Sequence, residues 1–413
     1  MSPTSRYATL SRAELATLVP ELLLIGQLID RSGMAWCISS FGREEMVRIA
    51  IEEWAGASPL YTKRMQKALD FEGVDVVTIF KGLQLDIGAP PQFMDFRYVV
   101  HDRWHGEFSL AHCGALLDVE PMGEEYVRGM CHDIEDPTFD ATALATNRRA
   151  RVRPIHRPPR TPPDRHPHCA WTVIIDESHP EVDFIPAMEV VAESRAYGCE
   201  LDPIDTDDPD EAGMADYSGP LLSDVDFGAF SRSALVRIAD EVCLQMHLLV
   251  LSFGLAVRSR TKGDAALENS IRTKQLIGIA GVAAERIHRA LKLPGGPVGA
   301  LRTLELHPLL NPAAYVYADV AADIVQVRRS PAFADGSWIS LVSPSSDLPL
   351  QAIVAAVDPR LRAEAVGTES DWTVRVIETD TAARELPEVA VCKVSAGASW
   401  VFQDRKSLPL TVV

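Results

Sequence analysis

Leu15, Leu18, Leu22, Ile25 and Ile29 recur at the spacing of one helical face. Val47, Ile51 and Trp54 repeat that spacing, so about the first 75 residues are expected to be helical. The pattern then changes. Phe96, Tyr98 and Val100 alternate with Arg97, Val99 and His101 as in a half-buried strand, and residues 108–117 and 169–175 read as further strands. A helix is expected over residues 124–135. Asp136-Pro137 then fits an N-cap followed by proline at the first helical position, opening a short helix to Ala143.

The same order returns in the second half. Leu10-Ser11-Arg12 and Phe230-Ser231-Arg232 each place a Ser N-cap between an apolar residue and a Leu five positions on from it. This is a hydrophobic staple, completed in the first copy by Glu14 as a capping box. The stretch 64–69 (RMQKAL) matches 286–291 (RIHRAL), 82–85 (GLQL) matches 303–306 (TLEL), Asp136-Pro137 matches Asp358-Pro359, and 152–155 (VRPI) matches 374–377 (VRVI). The offsets stay between 220 and 222 residues. The expected fold class is therefore α+β: a tandem duplication of a domain with N-terminal helices followed by a small antiparallel sheet. Residues 10–190 form the first repeat and 229–413 the second. Residues 191–228, rich in Asp, Gly and Pro, read as an acidic, solvated linker.

Composition narrows the function. The chain has 413 residues and a net charge of −18, which disfavours nucleic acid and anionic membranes as partners. No apolar stretch reaches membrane-spanning length, and residues 1–12 lack the apolar segment of a signal peptide. Seven scattered cysteines suggest reduced thiols in a cytoplasmic setting. Gly295-Gly296 between prolines marks a turn, and no nucleotide-binding motif accompanies it.

The candidate chemistry is concentrated in the first repeat. Seven of the eleven histidines (His101, His105, His112, His132, His156, His166, His168) lie between 101 and 168, with Cys113, Cys131 and Cys169 in or beside the same window. At an offset of 222, Cys131, His132 and Asp133 fall on Ile353, Val354 and Ala355, which places the working site in the first repeat. Neighbours in a strand point to opposite faces, so His112 and Cys113 face a common pocket together only across a bulge. Cys131 and Glu135 share a helical face, and Cys169 and Trp171 a strand face. One pocket would combine the three thiols with His132 or Asp133. Two chemistries suit it. Cys113, Cys131 and Cys169, with His168 beside them, could hold Zn²⁺ or another divalent metal that activates water, with Asp133 or His132 as base; or Cys131 could attack, with His132 as base and Asp133 or Asp136 orienting it. His112, Arg153 and Trp171 are candidate substrate contacts. Arg153 belongs to an arginine-rich run (Arg148, Arg149, Arg151, Arg153, Arg157, Arg160, Arg165) suited either to pairing with the chain's own acids or to an anionic substrate.

The elements His112-Cys113, Cys131-His132-Asp133 and Cys169-Ala170-Trp171 resemble, over residues 90–178, the L-2-amino-thiazoline-4-carboxylic acid hydrolase-like proteins. The chain departs from that family in having Arg165-His166-Pro167-His168 where a Gly commonly precedes the last Cys. The resemblance implies a hydrolase acting on a non-peptide C–N bond of a small acidic molecule. The alternative is a non-catalytic small-molecule or metal-binding sensor. A small-molecule partner is expected in either case, and self-association is left open.

Overall fold

The computed structural model describes residues 4–206, 212–321, 323–404 and 410–412. The first half contains α1 (Arg12–Phe41), α2 (Arg43–Ala68), α3 (Val76–Leu83), β1 (Met94–Val100), β2 (His105–Cys113), α4 (Gly114–Val119), α5 (Glu124–Arg128), a π-helical turn (Gly129–Ile134), α6 (Glu135–Leu144), β3 (Ala150–His156), β4 (Cys169–Ile175) and α7 (Pro186–Ala192). The second contains α8 (Arg232–Thr261), α9 (Ala265–Ala290), α10 (Gly296–Leu306), β5 (Ala318–Val320), β6 (Val325–Val327), α11 (Pro331–Asp335), α12 (Leu348–Val357), β7 (Leu361–Gly367), β8 (Trp372–Glu378) and α13 (Pro387–Cys392). A last strand, β9 (Thr411–Val412), follows.

The two halves share one topology. Their sheets run β3-β4-β2-β1 and β7-β8-β6-β5, antiparallel throughout. Symmetry breaks at one edge, where β9 from the end of the chain joins β1 in parallel. Both long first helices open as expected. Ser11 and Ser231 accept hydrogen bonds from the backbone N–H groups of Glu14 and Ala234, and the staple residues Leu10, Leu15, Phe230 and Leu235 are buried. α8 is long and apolar enough to span a membrane, but 78% of its most apolar window is buried inside the fold. Its hydropathy is that of a core helix.

Helices α1, α2, α8 and α9 pack together at the centre, α2 on α8 and α1 on α9, in reciprocal contacts. Gly56 lies against Ser252, and Gly278 against Ser32. Each glycine lets two backbones approach where a Cβ would collide or crowd. Arg64 pairs with Glu241 (Nε–Oε2 2.9 Å) and donates to the Tyr197 carbonyl. Arg286 pairs with Glu21 (Nη2–Oε2 2.5 Å) and donates to the Gly397, Ala398 and Trp400 carbonyls. Asp118 accepts from Ser395 and Ala396, and Asp335 from the backbone of Arg195 and Ala196. Each half thus pins the segment that follows the other half's last helix.

The repeat register holds in the helices and then drifts. α1 and α8 start 220 residues apart (12 and 232), and α2 and α9 start 222 apart (43 and 265). α6 and α12 start 213 apart (135 and 348), β3 and β7 211 (150 and 361), and β4 and β8 203 (169 and 372). Two of the matched pairs are therefore not equivalent: Asp136 lies in α6 while Asp358 caps the end of α12, and Val152 lies in β3 while Val374 lies in β8. Ile353 and Val354, in α12, are counterparts of α6 and not of Cys131 and His132.

Of the acidic stretch between the halves, residues 207–211 lie outside the described residues. The part that follows is anchored. Tyr217 and Leu221 are buried, and Lys81 Nζ donates to the carbonyls of Tyr217 (2.7 Å) and Gly219 (2.5 Å). Among the described acids of this part Asp226 is exposed and Asp216 half-buried, while Tyr217 and Leu221 dock on the first half.

Candidate functional site

The helix expected to end at Glu135 runs without a break from Glu124 to Leu144, with the π turn at its middle. A π turn inserts one residue per turn and re-aims the side chains around it. Here it carries Met130, Cys131, His132, Asp133 and Ile134, and Glu135 follows at once. Cys131 and Glu135 turn inward and Asp133 outward.

Opposite the π turn stands the inner face of the sheet. The β1–β2 register shifts between Met94 and Phe96, a bulge that puts Cys113 on the buried face with Phe108 and Leu110. Cys169 pairs with Leu110 and shares that face with Trp171. Cys113, Cys131, Cys169 and Glu135 thus occupy one buried region. Burial is the chief cause raising each thiol's pKa, with the Glu135 carboxyl next; Cys113 is pushed up to about 12. These are protonated thiols, not ready nucleophiles.

Several expected roles are not assembled. His132 Nε2 donates to the Pro158 carbonyl at 2.7 Å, so the imidazole is engaged with a loop and not with Cys131. Asp133 is exposed. His168 stands beside His112 and His166, at ring separations of 6.0 and 5.1 Å, and belongs to that imidazole group; burial lowers its pKa to about 4. His112 itself lies against Trp400 from the second half at 4.9 Å. No three of the donor atoms of Cys113, Cys131, Cys169, His168 and Glu135 lie within 4.8 Å of one another, whereas a tetrahedral zinc–thiolate site needs sulfurs about 3.8 Å apart. The thiol pocket as it stands does not fit a metal cage. Arg153 is held by both oxygens of Asp140 (2.9 and 2.8 Å), and Trp171 is fully buried among Phe108 and Phe139. The arginine run does pair within the chain, and among the described residues its acidic partners are Glu120, Asp136, Asp140, Glu181 and Asp183, none of them in the acidic linker.

Two cavities flank the π turn, and Met130 and Ile134 line both. The outer one, of about 230 Å³, is apolar and rich in methionine: Met34, Met46, Met122 and Met130. Val391, Val394 and Ser395 of the second half close one side, and Asp30, Arg31 and Asp118 are its inner polar groups. Arg31 is under-used. Its side chain is 14% exposed, and its Nε lies 3.8 Å from Asp30 and 3.7 Å from Asp118, beyond hydrogen-bond range. That buried nitrogen has no hydrogen-bond partner, and Nη2 reaches the Met130 sulfur at 3.8 Å. Asp118 is already engaged by Ser395 and Ala396, and burial raises the Asp30 pKa.

The inner cavity, of about 80 Å³, is lined by Gln27, Tyr61, Asp86 and Glu135 among apolar residues. Burial raises the Glu135 pKa to about 8, with Asp136 adding to it and Arg157 and Arg31 opposing. Burial raises Asp86 to about 6, against hydrogen bonds from the Gly88 N–H and the Tyr61 hydroxyl. Glu135 Oε2 and Gln27 Oε1 have no partner; nor do both carboxylate oxygens of Glu53, whose pKa burial and then Asp30 raise further. In the helices, where the repeat register is sound, these residues belong to the first half alone. Gln27, Asp30, Arg31 and Glu53 face His247, Val250, Leu251 and Gln275 in the second copy, and Asp86 faces His307, which is satisfied by backbone partners.

Sequence reasoning reached the π turn and the thiols but passed over Asp30, Arg31, Glu53 and Asp86. The available signal was polar side chains interrupting apolar runs: Asp30-Arg31 after Leu28-Ile29, and Asp86 between Leu85 and Ile87. No family model, curated protein or solved structure matches this chain.

Proposed function

We propose that the protein binds a small organic acid with an apolar body in the outer cavity, its carboxylate held by Arg31. The observation that carries this reading is a largely buried guanidinium at the wall of an apolar cavity, ion-paired only loosely with Asp30 and Asp118 (3.8 and 3.7 Å) and with an Nε–H that no acceptor reaches within hydrogen-bond range. A buried donor without a close acceptor costs free energy, and a ligand carboxylate would take up the donors the two aspartates leave unsatisfied. A cavity of about 150 Å³ already accommodates benzene, so one of about 230 Å³ suits an aryl or short branched carboxylate. The test is calorimetric titration with benzoate, phenylacetate and benzamide. Carboxylates should bind, the neutral amide should not, and Arg31→Met should lose the carboxylate preference. Equal binding of amide and acid, or an unaffected Arg31→Met, refutes the proposal.

A second reading, hydrolysis of a C–N bond in such an acid, is favoured by Asp86 and Glu135, two buried carboxyls that both line the adjoining cavity. Two carboxyls raised to about 6 and about 8 are suited to act as general base and general acid near neutral pH. Mass analysis of the bound acid and of its amide or cyclic amidine derivatives after incubation separates the two readings. Turnover abolished by Glu135→Gln supports hydrolysis; recovery of every compound unchanged leaves a binding protein.

A further inference from the structure

We propose that His101, His105 and Glu107, on the β1–β2 hairpin, form a divalent transition-metal site. His101 follows β1 directly, His105 opens β2, and Glu107 is two residues on. Residues two apart in a strand point to the same face, so His105 and Glu107 project together. Glu107 is paired across the ladder with Val99, and His101, two beyond Val99, comes alongside them. One ligand atom from each of the three lies within 4.8 Å of the others. His101 Nε2 is 3.1 Å from Glu107 Oε1, and the two imidazole rings are 4.5 Å apart. A tetrahedral site with bonds of 2.0–2.2 Å needs ligand atoms about 3.4 Å apart. One edge of that tetrahedron is already formed, and rotation of partly exposed side chains completes the face.

The loop beneath is held in shape. The His101 N–H donates to the His105 carbonyl (3.1 Å), and Asp102 Oδ1 accepts from the backbone N–H groups of Trp104 (2.6 Å) and His105 (2.9 Å). This side-chain turn fixes the spacing of the two histidines before any ion binds. The fold does not require these residues. The corresponding hairpin of the second half, residues 318–327, contains neither His nor Glu. A simple His101–Glu107 ion pair would account for one imidazole and one carboxylate oxygen and would leave His105 without a role. Two imidazoles and a carboxylate suit Zn²⁺, Co²⁺ or Ni²⁺ rather than Mg²⁺ or Ca²⁺, and three protein ligands leave a fourth position for water. The site is independent of the Arg31 cavity. It stands beside the edge on which β9 docks, since Val99 and Val100 pair with Thr411 and Val412.

The test is titration of chelator-treated full-length protein with CoCl₂, followed by visible absorption. The expected result is saturable binding of one ion with the ligand-field bands of nitrogen and oxygen ligands and no thiolate-to-cobalt charge-transfer band. It should be lost in His105→Ala and in His101→Asn and retained in Cys131→Ala. Circular dichroism confirms that each variant is folded, and the hairpin side chains are exposed enough for substitution to spare the core. Absence of saturable binding, binding that survives both histidine substitutions, or a thiolate band that disappears in Cys131→Ala would overturn the proposal.

Discussion

Replacing Arg286 by Met tests the clasp between the halves. Arg286 is fully buried. It meets Glu21 at 2.5 Å and donates from Nη1 to three carbonyls at 2.8–3.1 Å. Burial lowers the Arg286 pKa and raises that of Glu21 despite their mutual attraction, so desolvation outweighs the pair's Coulomb term. Removing one partner leaves Glu21 buried without its counter-charge, at a cost of about 3–5 kcal/mol. At about 2.1 cal/mol/K per residue, cooperative unfolding of the whole chain converts this to a fall in melting temperature of roughly 4–6 °C. The double variant Glu21→Leu/Arg286→Met should recover the ion-pair portion, because an apolar pair carries no desolvation penalty. It should not recover the hydrogen bonds that the two Nη1 hydrogens share among the three carbonyls, worth about 1 kcal/mol per hydrogen. Scanning calorimetry at neutral pH reads all three proteins. A single variant melting within about 1 °C of wild type, or a double variant below the single one, would refute the reasoning. The carbonyls lie just beyond Ser395, a wall of the outer cavity, so the single variant should also bind the organic acid more weakly.

Glu135→Gln should flatten the pH dependence of stability. A carboxyl raised from 4.5 to about 8 contributes stability that is fully present below about pH 4.5 and lost as pH rises through 8. Urea denaturation at pH 5 and pH 8.5 should therefore show a smaller loss in the variant than in wild type; equal losses would mean that Glu135 ionises freely. Thiol labelling of the native protein should be slow at the six buried cysteines and fastest at Cys199, which is partly exposed. Rapid modification of Cys131 would revive it as a nucleophile. Cys131→Ala should stay folded, at a cost of roughly 1–2 kcal/mol measured by the same denaturation.

The helical half of each repeat was legible because its signals are local. Ser11 and Ser231 cap, Leu10 and Phe230 staple, and an apolar period of 3.6 survives divergence. The sheet region was not. The second copy has a shorter β5–β6 hairpin and shorter connections, so a constant offset slides from helix to strand and pairs Cys131 with an unrelated α12 residue. The inference that the first copy holds the site stands better on Asp30, Arg31 and Glu53, where the register is sound. A strand and a helix each announce their faces, which is why the sequence places Cys113, Cys131 and Cys169 on inward-facing positions, and all three are buried. Their protonation was not legible, since it depends on Glu135 and on burial from every side. Arg31 was passed over because one arginine in an apolar helix looks like a surface position until the second half covers it.

Joining the two halves in one chain has an evolutionary consequence. In a symmetric homodimer every substitution enters twice, so a buried carboxyl such as Glu53 or Asp30 would weaken two copies of the same core at once. In the fused chain it enters once. Val250 and Gln275 at the matching positions leave the second copy's core sound, and the reciprocal Arg64 and Arg286 clasps still hold the pair. Selection could therefore place a costly polar group in one half without placing it in the other, as with buried Asp240 in the second half where the first has Pro20, a freedom that separate, identical subunits do not have.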